Sequence, residues 1–128
     1  MHEIEIVTTF LRKMAEHDVD ATVAFLSEDV FVHNMPVAPT YSREEWKQRM
    51  LTYDNTAGGM KVQVLNIAGD GRGNVLTERA DSFLRNGRWI EIPIMGAFTV
   101  KNGLIVSWRE YFDMGATKGL SEVEPHGS

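Results

Sequence analysis

Hydrophobic positions in the first half of the chain recur at helical spacing. Ile6, Phe10, Leu11 and Met14 repeat every three or four residues, which predicts an amphipathic first helix. Val23, Phe25 and Leu26 follow the His17-Asp18-Val19-Asp20 break and predict a second helix, with Asp20 as its N-cap. Ser42 and Glu45 then fit the Ser-x-x-Glu capping box, in which each side chain accepts a backbone N–H at the start of a helix. Trp46, Met50 and Tyr53 share one face of this third helix, which Gly58-Gly59 ends. Between the second and third helices, Val30 to Asn34 reads as a short strand stopped by the proline-bearing stretch Met35 to Pro39.

The second half changes its period to two. Four alternating runs, Lys61 to Ala68, Asn74 to Leu84, Arg88 to Val100 and Leu104 to Phe112, predict an antiparallel meander, with Asn86-Gly87 and Asn102-Gly103 at two of its turns. Pro93 and Gly96 interrupt the third run and mark an edge or a bulge that bends it. Helices first and hairpins later give an α+β domain in which a curved antiparallel or mixed sheet wraps around the N-terminal helices. Such a shape leaves a deep apolar pocket.

With 128 residues, the chain is sized for one domain spanning 1–128, whose tail from 115 to 128 carries no pattern and is expected to be loosely held. The 13 basic and 18 acidic side chains give a formal net charge of −5 without a basic cluster, which argues against nucleic acid as a partner. Absence of cysteine removes disulfides, thiolate metal sites and cysteine nucleophiles. The four histidines are not paired at ligand spacing, so no metal is expected. No basic-then-apolar leader and no run near the roughly 20 apolar residues of a membrane span is present, so the expectation is a soluble, cytoplasmic protein.

Strand parity singles out three charges. On the second run, Val75, Thr77, Arg79, Asp81 and Phe83 share one face. On the fourth run, Leu104, Val106, Trp108, Glu110 and Phe112 share another. If both faces look into the pocket, an arginine and two carboxylates meet among apolar side chains, where unpaired charges are costly. Parity alone equally allows, and on base expectation favours, a solvated face with ordinary surface charges. Asn34, just before Met35-Pro36, reads on its own as a turn former.

Thr77-Glu78-Arg79-Ala80-Asp81, Ile94-Met95-Gly96-Ala97-Phe98 and Asn102 to Asp113, with its Trp108-Arg109-Glu110-Tyr111-Phe112, together resemble the limonene-1,2-epoxide hydrolase family. Asn34-Met35-Pro36 and Tyr41 match its early strand and loop, and the likeness runs from about residue 30 to 114. The resemblance implies an NTF2-like (SnoaL-like) cone fold, a homodimer, a small hydrophobic substrate, no cofactor, and addition of water to an epoxide in one step. It assigns Arg79 as the bridge between two carboxyl groups, Asp81 as the general acid, Glu110 as the base in place of an aspartate, and Asn34 as a holder of the attacking water. It puts Ile92 and Ile94 on the pocket wall, with Phe83, Val62, Trp108 and Phe112 completing it.

Two positions depart from the family. Glu110 adds a methylene to the base, and Val32 stands where the family has a water-binding tyrosine. Tyr53, near the end of the third helix, is the candidate replacement for that tyrosine. These departures keep two other readings open: a proton-shuttling isomerase or cyclase of the same fold, and a noncatalytic module that binds a hydrophobic ligand.

Overall fold

The computed structural model describes residues 2–52 and 58–122. Their order is α1 (Glu3–Ala15), α2 (Val19–Val23), β1 (Leu26–Asn34), β2 (Thr40–Tyr41), α3 (Arg43–Thr52), β3 (Met60–Gly69), β4 (Asn74–Arg85), β5 (Arg88–Lys101), β6 (Leu104–Tyr111), a 3-10 turn (Met114–Thr117) and α4 (Lys118–Glu122). The six strands form one sheet in the order β2-β1-β6-β5-β4-β3. It is mixed, because β1 runs parallel to β6 while every other neighbouring pair is antiparallel. This is the α+β architecture that the change of period predicts.

The meander follows from its turns. Asn86-Gly87 and Asn102-Gly103 all have positive φ, the requirement of a two-residue turn whose twist suits a hairpin. Pro93 lies just beyond Met95↔Tyr111, the last β5–β6 pair, so its missing N–H falls where β5 has no β6 partner. That is the edge position expected of it.

The apolar stripe of α1 lies against the sheet. Ile6, Val7, Phe10, Leu11 and Met14 are all buried, and Phe10 meets Trp108 edge-on at 4.9 Å between ring centroids. Ser42 and Glu45 form the expected capping box: Ser42 Oγ accepts from the Glu45 N–H at 3.1 Å and Glu45 Oε1 from the Ser42 N–H at 2.8 Å. No helix among the described residues is long and apolar enough to cross a membrane.

Three local expectations are corrected. The second helix starts two residues earlier and ends sooner, at Val23; it is capped by Asp18, whose carboxylate accepts the Ala21 N–H at 3.2 Å, and not by Asp20. Leu26 leaves that helix to begin β1, because burial beside β6 outweighs one more helical turn; Leu26 pairs with Ile105. In β6, partners jump from Ser107 to Ile105 opposite the adjacent residues Thr99 and Val100, so Val106 is an extra, bulged residue. The bulge turns Ile105 inward, fully buried, and leaves Leu104 exposed, although Trp108 and Glu110 keep their inward face. Part of the tail expected to be loose, residues 115–122, belongs to the 3-10 turn and α4.

Candidate active site

Sheet register stacks the chemistry-bearing residues into rows. Thr77, Gly96, Glu110 and Asn34 stand side by side on β4, β5, β6 and β1. In the neighbouring rows Arg79 lies between Val64 and Ile94, and Asp81 between Val62 and Ile92. All face the concave side, as parity predicts, and the solvated-surface reading fails: Arg79 and Asp81 are each 1% exposed and Glu110 is 5% exposed.

Burial of these charges is tolerated because each is bonded. Arg79 Nε and Nη2 donate to Asp81 Oδ1 and Oδ2 at 3.1 and 2.7 Å. Arg79 Nη1 and Nη2 donate to Glu110 Oε2 and Oε1 at 2.9 and 2.5 Å, and Nη1 also donates to Thr77 Oγ1 at 3.2 Å. All five guanidinium N–H groups are used, two parallel forks and one hydroxyl, which a lysine cannot reproduce.

The surroundings shift the proton affinities of Glu110 and Arg79. Burial raises the Glu110 carboxyl above its ordinary value, against the charge and hydrogen bonds of Arg79, which lower it. Burial also disfavours the Arg79 cation, but Glu110 and Asp81 outweigh it and hold the guanidinium well above its ordinary value. Arg79 is therefore a permanent positive charge between two acids.

Gly96 makes the arrangement possible. A Cβ there would lie 2.5 Å from Arg79 Nη1, 2.6 Å from Glu110 Oε2 and 2.8 Å from Thr77 Oγ1. The bare backbone of β5 is the gap through which Arg79 of β4 reaches Glu110 of β6. Sequence reasoning took Gly96 for an edge or bulge marker and did not connect it, or Thr77, with the site. Their signal was available in the meander, since β5 must run between β4 and β6.

In front of this cluster opens a cavity of about 540 Å³. Asn34, Asp81 and Glu110 reach its wall, as do the expected apolar residues Phe83, Ile92, Ile94, Trp108 and Phe112. Arg79 sits behind the two acids. Val32 and Val62 are not on the wall. Val32 is buried in the core in register with Tyr41 and Trp108, and Val62 packs against that core beside Asp81. Both are apolar side chains taken up by the hydrophobic cluster, Val32 within it and Val62 against it. Tyr53 lies outside the described residues. Unforeseen wall residues are Trp46 and Arg49 of α3, Arg85 of β4, and Met114, Thr117 and Leu120 from the turn and helix after β6. Among the described residues, no three His, Asp or Glu side chains gather as a metal-ligand set.

Comparisons with known proteins give the family. Residues 1–118 match the model of the limonene-1,2-epoxide hydrolase catalytic domain. Epoxide hydrolase EphG of Mycobacterium tuberculosis (strain ATCC 25618 / H37Rv) is 31% identical over 122 residues, covering 89% of this chain and 78% of that protein. A solved M. tuberculosis limonene-1,2-epoxide-hydrolase-like epoxide hydrolase superposes with a TM-score of 0.81 at 28% identity, over 94% of this chain and 90% of that one. An NTF2-like protein from Cytophaga hutchinsonii, 18% identical with a TM-score of 0.74 over 94% and 96% of the two chains, shares the fold alone. The NTF2-like cone thus carries, in this sequence, an Asp-Arg-Glu cluster at the positions that the resemblance assigns, and the chain belongs to the limonene-1,2-epoxide hydrolase family.

Proposed function

We propose that the protein is an enzyme that adds water in one step to a hydrophobic epoxide, giving a vicinal diol without a covalent enzyme intermediate. The observation that carries this reading is the double fork of Arg79 on Asp81 and Glu110 at the wall of an otherwise apolar cavity. Glu110 accepts a proton from a water held beside it by Asn34, its neighbour in the β1–β6 register. Burial raises its proton affinity above that of an ordinary carboxylate, which suits it to accept that proton. Asp81 donates a proton to the epoxide oxygen as the ring opens. Arg79 remains charged throughout, holds both groups in the plane of its fork, and keeps the cluster neutral while one proton is shared between the acids.

Val32 favours a second reading within the fold. With no hydroxyl at that position to anchor water, a hydroxyl of the substrate itself can take the nucleophile's place, and the same acids then close a ring instead of making a diol. A panel of epoxides in ¹⁸O-labelled water separates the two. Singly labelled diol from the wild type, abolished in Asp81→Asn and Glu110→Gln, is the expected result. Unlabelled cyclic ether supports the cyclase. Turnover retained by both variants overturns the roles of the acids.

The working unit is proposed to be a homodimer. Leu76, Met95 and Tyr111, on adjacent strands of the sheet's outer face, are 56%, 50% and 44% exposed, a concentration of apolar surface that pairing would cover. Light scattering should give twice the chain mass for the wild type and the single mass for Met95→Glu.

A further inference from the structure

Among the described residues, two buried side-chain donors make no hydrogen bond within the protein, the indole Nε1–H groups of Trp46 and Trp108. Both side chains line the cavity. Leaving a buried N–H without an acceptor is costly, so such a group points to an acceptor from outside the chain. For Trp108 a carboxylate is at hand: its indole is one of the groups that lower the Glu110 carboxyl against the effect of burial. No described group does the same for Trp46.

The place of Trp46 is fixed from several sides. Its backbone N–H donates to the Ser42 carbonyl at 2.9 Å and closes the first turn of α3 behind the capping box. Its ring stands edge-on to Trp108 at 4.8 Å between centroids, 6.1 Å from the Tyr41 ring and 5.9 Å from the Arg49 guanidinium carbon. Tyr41 and Trp108 are the register neighbours of Val32 on β2 and β6. Trp46, packed against both, therefore lies over Val32, whose short side chain leaves it room. Two residues further along the same face come Asn34 and its β6 partner Glu110. An unbonded donor, an amide and a base thus gather at the β1 end of the cavity, with Asp81 on the far side of β5.

We propose that the Trp46 indole N–H donates to the water that Glu110 activates. A water offers two protons and two lone pairs. One proton is bonded to Glu110 and the other to the Asn34 side-chain oxygen, one lone pair accepts from Trp46, and the second is left facing the epoxide carbon. As the new C–O bond forms and the ring C–O bond breaks, Glu110 takes the water's proton, and the released electron pair stays on the epoxide oxygen, which takes its proton from Asp81. An indole suits this place because it only donates: it neither competes for the proton nor attacks the ring. This deepens the hydrolase reading and rests on it for the word activates. It also supplies from α3 the anchor that Val32 lacks.

The first test needs no turnover. In protein carrying ¹⁵N-labelled tryptophan, the Trp46 indole resonance, identified by its loss in Trp46→Phe, is expected to show a dipolar cross-peak to a bound water. Its absence overturns the proposal. Kinetics on whichever epoxide of the panel turns over fastest then separate the roles of the donor. Trp46→Phe keeps an aromatic ring and removes the N–H, so kcat should fall about tenfold or more with KM nearly unchanged. The exchange of Trp46→Val with Val32→Tyr returns a donor from the strand beneath and should recover part of that loss; it also identifies the resonance if Trp46→Phe does not fold. A raised KM at unchanged kcat assigns the N–H to an oxygen of the substrate and overturns the water role, as does wild-type kinetics in Trp46→Phe. A water bound at Trp46 with no diol from any epoxide leaves the water site standing and removes the hydrolase reading, so the two failures are distinguishable.

Discussion

Two segments of this chain place an aspartate and an arginine two residues apart, Asp70-Gly71-Arg72 and Arg79-Ala80-Asp81, and they do opposite things with the same groups. In the β3–β4 turn the pair is open to solvent: the side chains of Arg72 and Asp70 are 85% and 32% exposed and stand 3.8 Å apart. On β4 the corresponding exposures are 0% and 2%, and the separation is 2.7 Å. The difference is geometric before it is electrostatic. A turn lets each side chain choose water, whereas a strand points residues i and i+2 to one face, here the concave face, and water is excluded. An ion pair in the turn is therefore incidental. In the pocket it is obligatory, and Glu110 joins it because two buried acids need the same cation.

The sharpest way to test that contrast is to remove the cation. Arg79→Met leaves two buried carboxyl groups without their charge partner, and breaking such a pair costs about 3–5 kcal/mol, measurable as a lower denaturant midpoint with no detectable turnover. Arg79→Lys keeps the charge and loses the forks. We expect a folded protein with turnover reduced by about a hundredfold, because the acids lose their alignment. Wild-type kinetics in Arg79→Lys would break the comparison, since a point charge would then suffice.

Gly96→Ala comes next. Its methyl enters the space occupied by Arg79 Nη1 and Glu110 Oε2, neither of which can swing into solvent. Overpacking of this kind costs about 1–3 kcal/mol. Thermal unfolding should show that loss, and activity should fall further than stability because the displaced atoms belong to the reacting pair. A variant as active and as stable as the wild type would show that the cluster is looser than its five hydrogen bonds imply.

These effects also mark how far the chain could be read in advance. Alternation and two Asn-Gly turns made β3 to β6 legible nearly to the residue, because a two-residue period and positive-φ turn residues are local properties. The inward direction of Arg79, Asp81 and Glu110 followed from the same alternation. Their burial did not, since parity is blind to which face is covered; the family resemblance supplied it. Non-local features escaped. Leu26 is assigned to β1 by its pairing with β6, the extra residue at Val106 is visible only against β5, and Gly96 is explained by side chains from two other strands. Val32 and Val62 were placed on the wall by analogy and lie instead in or against the core, outside the cavity lining.

Titration distinguishes the two regions by sign. Burial raises the folded-state value of Glu110, so its contribution to stability is fully present below the unfolded-state value, about 4.3, and declines as pH rises toward the folded one. Asp70 behaves oppositely. Hydrogen bonds from the Asn74 side chain and the Arg72 backbone lower its value, so its contribution is present above about 3.9 and is lost as pH falls. Chemical denaturation from pH 3 to 8 should show that Glu110→Gln removes a decline toward neutral pH and Asp70→Asn removes a rise over the acid range. Equal slopes in the two variants would mean that burial of Glu110 does not govern its proton.

The smallest effect is expected at Arg72, and the reason lies in what holds Asp70. Its Oδ1 accepts the backbone N–H groups of Arg72 and Asn74 at 2.7 and 3.1 Å, and its Oδ2 accepts the Asn74 side-chain amide at 2.7 Å. The guanidinium stands farther away, exposed, where solvent and salt screen it. Arg72→Ala leaves every one of those hydrogen bonds in place, since the Arg72 donor is its backbone. The denaturation midpoint should not move measurably, with or without added salt, and turnover should be unchanged because the turn lies outside the cavity wall. A salt-sensitive loss of stability in Arg72→Ala would make the exposed pair more like the buried one than its geometry allows.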